Sequence, residues 1–220
     1  MRYTVRKLVV SMMMSLDGCC EGSGGNSMAL PMDDFFNAHN LERLRHADTL
    51  LLGATTYKAF QGYWPAVADN PELSPAVAAD PRVADVHRET GRRNNEIQKV
   101  VVSDSLTADD TAPWEDTTVL VRRGEVQQAV ADLKDRPGQD ILTFGSRKVW
   151  NGLLAAGLVD ELHLMVGAAV LGGGTPAFAA GQVPPLRLLD TRRGDGSDNV
   201  LLRYQVIHPG TRPQGAPVAG

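Results

Sequence analysis

The hydrophobic residues of this chain fall into short blocks separated by polar and glycine-rich segments. Several blocks are apolar at successive positions, which is typical of strands buried on both faces; they are VRKLVVSMMM, DTLLLG, KVVVSD, TTVLV and DILTFG. Between them the spacing of apolar residues predicts helices in DDFFNAHNLERLRHA, beginning near Asp33, and in TTYKAF, GEVQQAVADLKD and SRKVWNGLLAAG. This alternation up to about residue 157 predicts a largely parallel sheet with helices on both faces.

The C-terminal part of the chain has a different pattern. DELHLMVGAAVLGGG predicts a long strand broken by glycine, and PLRLLDTRR and NVLLRYQVI predict a hairpin around GDGSD, which makes at least one edge strand antiparallel. The predicted fold is therefore a three-layer α/β/α sandwich around a mixed, mostly parallel sheet.

The chain of 220 residues is long enough for one domain, which we expect to span 1–208. Residues 62–96 contain four prolines and form a long excursion with one helix around Val83 to Glu89. SLDGCCEGSGGNS is predicted to be loop, and the tail 209–220 to be disordered.

Composition excludes several classes of function. The net charge of −4 provides no basic surface for nucleic acid and no polybasic membrane patch. No apolar run is long enough to span a bilayer, and the N-terminus lacks a signal-peptide cleavage site, so we expect a cytoplasmic protein. Cys19 and Cys20 are either reactive thiols or, as we favour, reduced loop cysteines. No Cys/His spacing indicates a metal site.

Two predicted strand-to-helix turns, LLLGATTY and LTFGSRKVW, are built from small residues. Ligands of such sheets bind beyond the carboxyl ends of the strands. Each turn places a glycine and a hydroxyl at a helix N-terminus, where free N–H groups and the helix dipole can hold a phosphate. Helix capping by Thr and Ser is the alternative for each turn. Two such turns, one on each side of a central strand, would suit a pyrophosphate.

Two better-known phosphate motifs are absent. Without GxGxxG, a Rossmann dinucleotide fold is disfavoured. LGGGTPAF has no following Gly-Lys-Ser/Thr and is interpreted as a glycine-rich bulge or bend.

Taken together, the chain resembles the dihydrofolate reductase superfamily, most closely the bacterial branch related to the C-terminal reductase domain of the riboflavin-biosynthesis deaminase/reductase. The resemblance covers roughly residues 5–207 and is carried by RKLVVSMMMSLDG, ADTLLLGATTY, KVVVSDSL, DILTFGSRKVW, GLVDELHLMVGAAVLGGGTPAF and LLRY. It implies an eight-stranded mixed sheet, bound NADPH and a homodimer.

Carried over by residue, the resemblance implies a cofactor site along several strand ends. Phosphate contacts would come from Gly53, Thr55, Thr56, Gly145, Ser146, Arg147 and Lys148, with Val149 packed beside them and Ser103 near the adenosine ribose. Leu16, Asp17 and Gly18 would form the loop beside the nicotinamide, although Asp17 is better explained as a cap of its own turn.

The choice between NADPH and NADH rests on departures from the family pattern. Relatives carry an arginine where this chain has Ala54, and Asp104 follows Ser103; both differences favour NADH. Arg122 and Arg123 follow TTVLV and are candidates for the 2′-phosphate, so NADPH is retained with NADH as the alternative.

The substrate side departs from the family too. Ser11 and Phe144 replace the lysine and the acid of the pyrimidine reductases, which argues against ribosyl-pyrimidine reduction, and Met165 leaves the pterin-binding set incomplete. Asp33 in LPMDDFF is either a proton donor or a helix-start acid. Four apolar side chains are either substrate walls or plain core; they are Met12, Met14, Phe35 and Phe36.

The expected function is therefore that of an NAD(P)H-dependent reductase acting on a small, cyclic, conjugated substrate. The alternative is a nucleotide-binding sensor or a structural dimer without turnover.

Overall fold

The apolar blocks of the sequence assemble into one sheet in the structure, a computed structural model that describes residues 6–181 and 184–208. The strands are β1 Leu8–Met14, β2 Cys19–Glu21, β3 Ala47–Gly53, β4 Gln98–Val102, β5 Thr118–Val121, β6 Asp140–Phe144, β7 Glu161–Val166, β8 Thr175–Pro176, β9 Leu186–Arg193 and β10 Val200–Val206. The α-helices are α1 Asp34–Arg45, α2 Ala54–Asp69, α3 Pro75–Ala79, α4 Ala84–Glu96, α5 Val126–Lys134 and α6 Arg147–Ala155. The predicted tail 209–220 lies outside the described residues.

The main sheet has eight strands in the order β5-β4-β3-β6-β1-β7-β10-β9. The first six run parallel, whereas β10 is antiparallel to both β7 and β9. The predicted mixed sheet and C-terminal hairpin are thus confirmed. The antiparallel strand, however, lies one place inside the edge, because β9 turns back to the direction of the parallel strands.

Helices cover both faces of the sheet, as the alternating burial of β1 illustrates. Leu8 and Val10 belong to a core cluster with Trp150 of α6, whereas Val9 packs in a second cluster with Leu44 of α1 and Tyr57 of α2. Consecutive side chains of a strand point to opposite faces, so an apolar run such as β1 requires a helix layer on each side.

The segment 62–96 is more helical than predicted. Helix α2 continues through Pro65 to Asp69, and α4 covers 13 residues, extending to Glu96 where the predicted helix ended around Glu89. The two helices approach closely at Gly91, where an added Cβ would lie 2.7 Å from the backbone nitrogen of Ala68. Tertiary packing of this kind outweighs the helix-breaking tendency of proline.

Two glycine-rich segments are also more ordered than expected. Within SLDGCCEGSGGNS, the pair Cys19 and Cys20 lies in β2, which pairs antiparallel with β8, so the loop prediction is wrong at this point. Both thiols are buried and unbridged. Gly174 explains the pairing, because a Cβ at this position would lie 2.1 Å from the carbonyl oxygen of Glu21.

Among the described residues, no helix is long and apolar enough to cross a membrane; the longest, α2, has 16 residues.

Candidate functional site

The parallel strands bring their carboxyl ends to one edge of the sheet, where ligands of α/β proteins bind. The positions at these ends, from β5 across to β7, are Arg122, Ser103, Gly53, Gly145, Ser15 and Gly167. Most of the residues predicted for the cofactor therefore share this edge.

The two small-residue turns are direct neighbours, since β3 pairs with β6. The prediction that they flank a central strand is therefore wrong. Each turn supplies a hydrogen bond to the other: the Gly53 N–H donates to Ser146 Oγ at 2.9 Å, and the Ser146 N–H donates to Thr56 Oγ1 at 3.0 Å. The hydroxyls join the starts of α2 and α6 into one unit.

Helix capping, the alternative explanation of these turns, is wrong for both. Neither α2, whose N-cap is Gly53, nor α6, whose N-cap is Ser146, has a side-chain cap. The first N–H groups of a helix have no partner within the helix, and they carry the positive end of its dipole. Two such helix ends, side by side at a ligand-binding edge, suit a diphosphate.

The backbone of the second turn is strained. Gly145 has φ 50°, and Ser146 has φ 45° and ψ 36°, which is the left-handed region and costs a residue with a side chain on the order of 1–3 kcal/mol. Among the described residues, Ser146 alone has a positive φ without being glycine. The hydrogen bond to Thr56 holds this conformation, and a Cβ on Gly145 would lie 3.0 Å from Thr56 Oγ1. Strain that is maintained by neighbouring contacts is common at ligand sites.

The side chains after β6 differ in how far they are available to bind a ligand. The Nε of Arg147 donates to the carbonyl oxygen of Pro176, whereas Lys148 is exposed. Val149 packs against the first turn, with its Cγ2 3.3 Å from the position of a Cβ on Gly53. Bulk at Gly53 would therefore disturb α6 as well as the space for a ligand.

At the ends of β4 and β5, acidic and basic residues face each other. Asp104 accepts a hydrogen bond from the Arg123 backbone N–H at 2.9 Å and lies 3.4 Å from its Nε. Arg122 donates from Nη1 to the Ser103 carbonyl at 3.3 Å. The charge of Asp104 is thus offset locally, and Arg122 remains beside the predicted ribose position.

The SLDG loop is held by the chain after β7. Asp17 accepts hydrogen bonds from the Ser15 hydroxyl at 2.6 Å and from the N–H groups of Leu171 and Gly172 at 3.1 and 2.8 Å. These bonds, led by that of Ser15, lower the Asp17 pKa. Capping of its own turn, the role predicted for Asp17, accounts only for the bond from Ser15. The bonds from Leu171 and Gly172 were not predicted, because a single sequence does not indicate that the SLDG and LGGG loops are neighbours. Leu16 is exposed on the same loop.

Asp33 is the N-cap of α1 and uses both carboxylate oxygens. Oδ1 accepts from the Phe36 N–H at 3.0 Å, and Oδ2 accepts from the Ser197 hydroxyl. These contacts match the helix-start interpretation; the proton-donor role stays a prediction.

The four predicted substrate-wall residues do not meet on one face. Met12 and Met14 pack in the cluster around Trp150, whereas Phe35 and Phe36 pack with Met13 on the opposite face. Strand alternation separates them, and the core interpretation suits Met12, which is buried.

A buried polar cluster lies beneath α1, and no sequence pattern indicated it. His163 Nδ1 lies 3.4 Å from His39 Nε2, and His163 Nε2 lies 3.0 Å from Glu161. Burial lowers the pKa of His39 to about 3, so its ring is neutral. The cluster lies in mid-sheet, away from the carboxyl edge. Its histidines were not singled out because they occur in DDFFNAHNLERLRHA and DELHLMV, whose patterns already predict a helix and a strand.

The order of the strands, the helix layers and the twin turns at one edge define a dihydrofolate reductase-like fold. The chain belongs to the RibD C-terminal domain family, whose model matches residues 6–201. It is 26% identical over 188 residues to the uncharacterized protein YyaP of Bacillus subtilis (strain 168), covering 85% of this chain and 88% of that protein.

Solved structures agree on the fold. A candidate riboflavin biosynthesis protein from Shewanella sp. PV-4 has a TM-score of 0.65 at 17% identity, covering 92% of this chain and 99% of that one. A diaminohydroxyphosphoribosylaminopyrimidine deaminase/5-amino-6-(5-phosphoribosylamino)uracil reductase from Thermotoga maritima has a TM-score of 0.60 at 16% identity, covering 92% of this chain and 57% of that one.

Proposed function

We propose that this protein is an NADPH-dependent reductase that transfers a hydride from the nicotinamide to a small, cyclic, conjugated substrate such as a pterin or a pyrimidine. The observation that carries the proposal is the pair of uncapped helix N-termini joined by Ser146 and Thr56. A diphosphate with an organic group on either side fits this arrangement, because two adjacent helix ends can share its charges.

The rest of the edge suits the two ends of such a cofactor. Towards β4 and β5 lie Ser103 and Arg122, which suit an adenosine ribose and its 2′-phosphate. Towards β1 and β7 lies the loop held by Asp17, which suits the nicotinamide. When bound, the nicotinamide supplies the hydride. The chain's own residues hold the diphosphate, orient the ring and shape the space beside it.

Thr56→Val tests the phosphate site. The change keeps the side-chain shape but removes the oxygen that accepts from the Ser146 N–H, so that the left-handed turn loses its support. A hydrogen bond of this kind contributes roughly 0.5–1.5 kcal/mol, and an unpaired donor adds to the cost. We expect NADPH affinity, measured by calorimetry, to fall about tenfold.

Thr191→Val is the matched control, because Thr191 is exposed on β9, at the far side of the sheet. It should leave NADPH affinity unchanged. If Thr56→Val folds and binds NADPH as tightly as the parent, the phosphate site lies elsewhere. Saturable NADPH binding without oxidation by any acceptor in a broad panel would favour a binding module over a reductase.

A further inference from the structure

Four segments enclose the end of the site where the substrate would meet the nicotinamide, and hydrogen bonds tie them together. They are residues 15–18, 26–33, 167–172 and 194–199. Leu16 N–H donates to the Ala169 carbonyl at 2.8 Å, and the Asn199 side chain donates to the Pro31 carbonyl at 2.8 Å. Gly194 packs so closely on Phe35 that a Cβ there would lie 2.5 Å from the ring. These contacts surround the carboxyl ends of β1 and β7.

These segments contain no basic residue. The sequence has no lysine or arginine between Lys7 and Arg43, or between Lys148 and Arg187, and GDGSDN, residues 194–199, has none. The acids of the same segments are Asp17, Asp33, Asp195 and Asp198.

The cations nearest these segments bind other groups or lie on the strand farthest from β1. Arg147 donates to the Pro176 carbonyl, and Arg82 pairs with Asp80 at 2.7 Å. Arg193 is exposed and directly precedes the segment 194–199, but it is the last residue of the edge strand β9, which β7 and β10 separate from β1. Two other cations of this edge, Arg122 and Lys148, lie on the side of the proposed cofactor phosphates.

Apolar side chains are exposed in the same segments. Leu16, Met28, Met32 and Val170 are 65%, 74%, 36% and 70% exposed, whereas large apolar side chains elsewhere in the described chain are mostly buried. Exposed apolar groups on the segments at the end of a ligand site are typical of binding surfaces.

We infer that the substrate carries no phosphate and is a neutral or cationic ring compound with an apolar face. The inference rests on the proposed function, and it separates this chain from the Thermotoga maritima reductase, which is named for a phosphoribosylamino-uracil. A phosphate at this end would meet carboxylates and no arginine fork, an arrangement that disfavours binding.

The test uses the NADPH-loaded full chain and a matched pair of probes, 5-amino-6-(5-phosphoribosylamino)uracil and its dephosphorylated form. We expect the dephosphorylated probe to bind at least about tenfold more tightly. Asp195→Asn/Asp198→Asn removes two exposed carboxylates and should reduce the ratio of the two probes' dissociation constants about threefold or more. Asp109→Asn/Asp116→Asn, the same charge change in the connection before β5, should leave the ratio unchanged.

Equal or tighter binding of the phosphorylated probe overturns the inference, and so does failure of both probes to bind to protein that is saturated with NADPH. Failure of NADPH itself to bind contradicts the proposed function instead, so the two failures are distinguishable.

Discussion

Asp33 is compatible with two roles, that of a helix cap and that of a proton donor. Its carboxylate caps α1 through Phe36 and accepts from Ser197. Removing the charge leaves a side chain that can still accept a hydrogen bond, so Asp33→Asn separates a proton-transfer role from a structural one.

If Asp33 donates the proton, Asp33→Asn should lower the turnover rate about 10²–10⁴-fold while NADPH affinity changes little, because general acid–base groups contribute in this range. Steady-state kinetics with calorimetric NADPH binding checks this. Ser197→Ala, which removes the second contact together with the bond from the Asn199 N–H to the same hydroxyl, is the control and should retain most of the turnover. An unchanged rate in Asp33→Asn would leave Asp33 as a helix cap.

Lys99 has a buried amine at the opposite end of the sheet. Its Nζ donates to the Ile97 carbonyl at 2.7 Å and to Thr117 Oγ1 at 3.0 Å, and lies 4.4 Å from the centre of the Trp114 ring. No carboxylate pairs with it among the described residues, and burial lowers its pKa from 10.5 to about 7.

This pKa predicts a pH-dependent stability. Between pH 7 and 10.5 the unfolded chain holds the Lys99 proton and the folded chain releases it, so the free energy of unfolding rises with pH in this window. We expect the parent to gain about 2–3 kcal/mol from pH 7 to 9.5 relative to Lys99→Met, since one pKa unit corresponds to about 1.4 kcal/mol.

Urea denaturation at the two pH values measures the difference. Lys58→Met, which replaces an exposed lysine, is the control and should keep the parental rise. Identical pH dependence in the parent and in Lys99→Met would contradict the buried, deprotonated amine.

At the scale of elements, the site depends on which strand ends become neighbours. The sequence predicted the turns after β3 and β6 as phosphate sites but placed them on either side of a central strand, whereas they are adjacent and bonded through Ser146 and Thr56. Strand order is a non-local property that hydrophobic periodicity does not encode. The same reason explains why the Asp17 link to Gly172 was missed.

The residues at the neighbouring ends of β4 and β5 predict a preference for NADPH over NADH. Arg123 offsets Asp104, and Arg122 lies beside Ser103. A charge-assisted hydrogen bond contributes roughly 1.5–3 kcal/mol, so one arginine here would suffice for the 2′-phosphate of the proposed cofactor, although this chain has Ala54 where the resemblance implies an arginine. We expect the parent to prefer NADPH and Arg122→Ala/Arg123→Ala to lose about tenfold or more of that preference.

The ratio of the NADPH and NADH dissociation constants checks this. Arg136→Ala, an exposed arginine after α5 at the opposite edge of the sheet, is the matched control and should leave the ratio unchanged. A strong NADPH preference that survives the double substitution would contradict the assignment.

At the scale of the whole molecule, periodicity predicted the fold class well. Buried blocks such as β1 and β3 are apolar at nearly every position, and helices such as α6 have a clear apolar stripe, so local pattern and tertiary role agree. The excursion 62–96 was predicted poorly because prolines and alanines give a weak pattern, and only contact between α2 and α4 fixes its helices.

The homodimer implied by the resemblance remains a prediction, and light scattering in solution checks it. The edge strand β9 exposes Leu186, Leu188 and Leu189. An exposed apolar edge of this kind is commonly covered by another chain or protected from pairing.

We propose that the N-termini of α2 and α6 together bind the phosphates of a nicotinamide dinucleotide. Titration of the isotope-labelled protein with NADPH, followed by backbone amide NMR, measures this binding residue by residue. We expect saturable shifts of the amides of Ala54, Thr55, Arg147 and Lys148, with little change in α4. Saturable NADPH binding that leaves these four amides unmoved, or no binding at all, would contradict it.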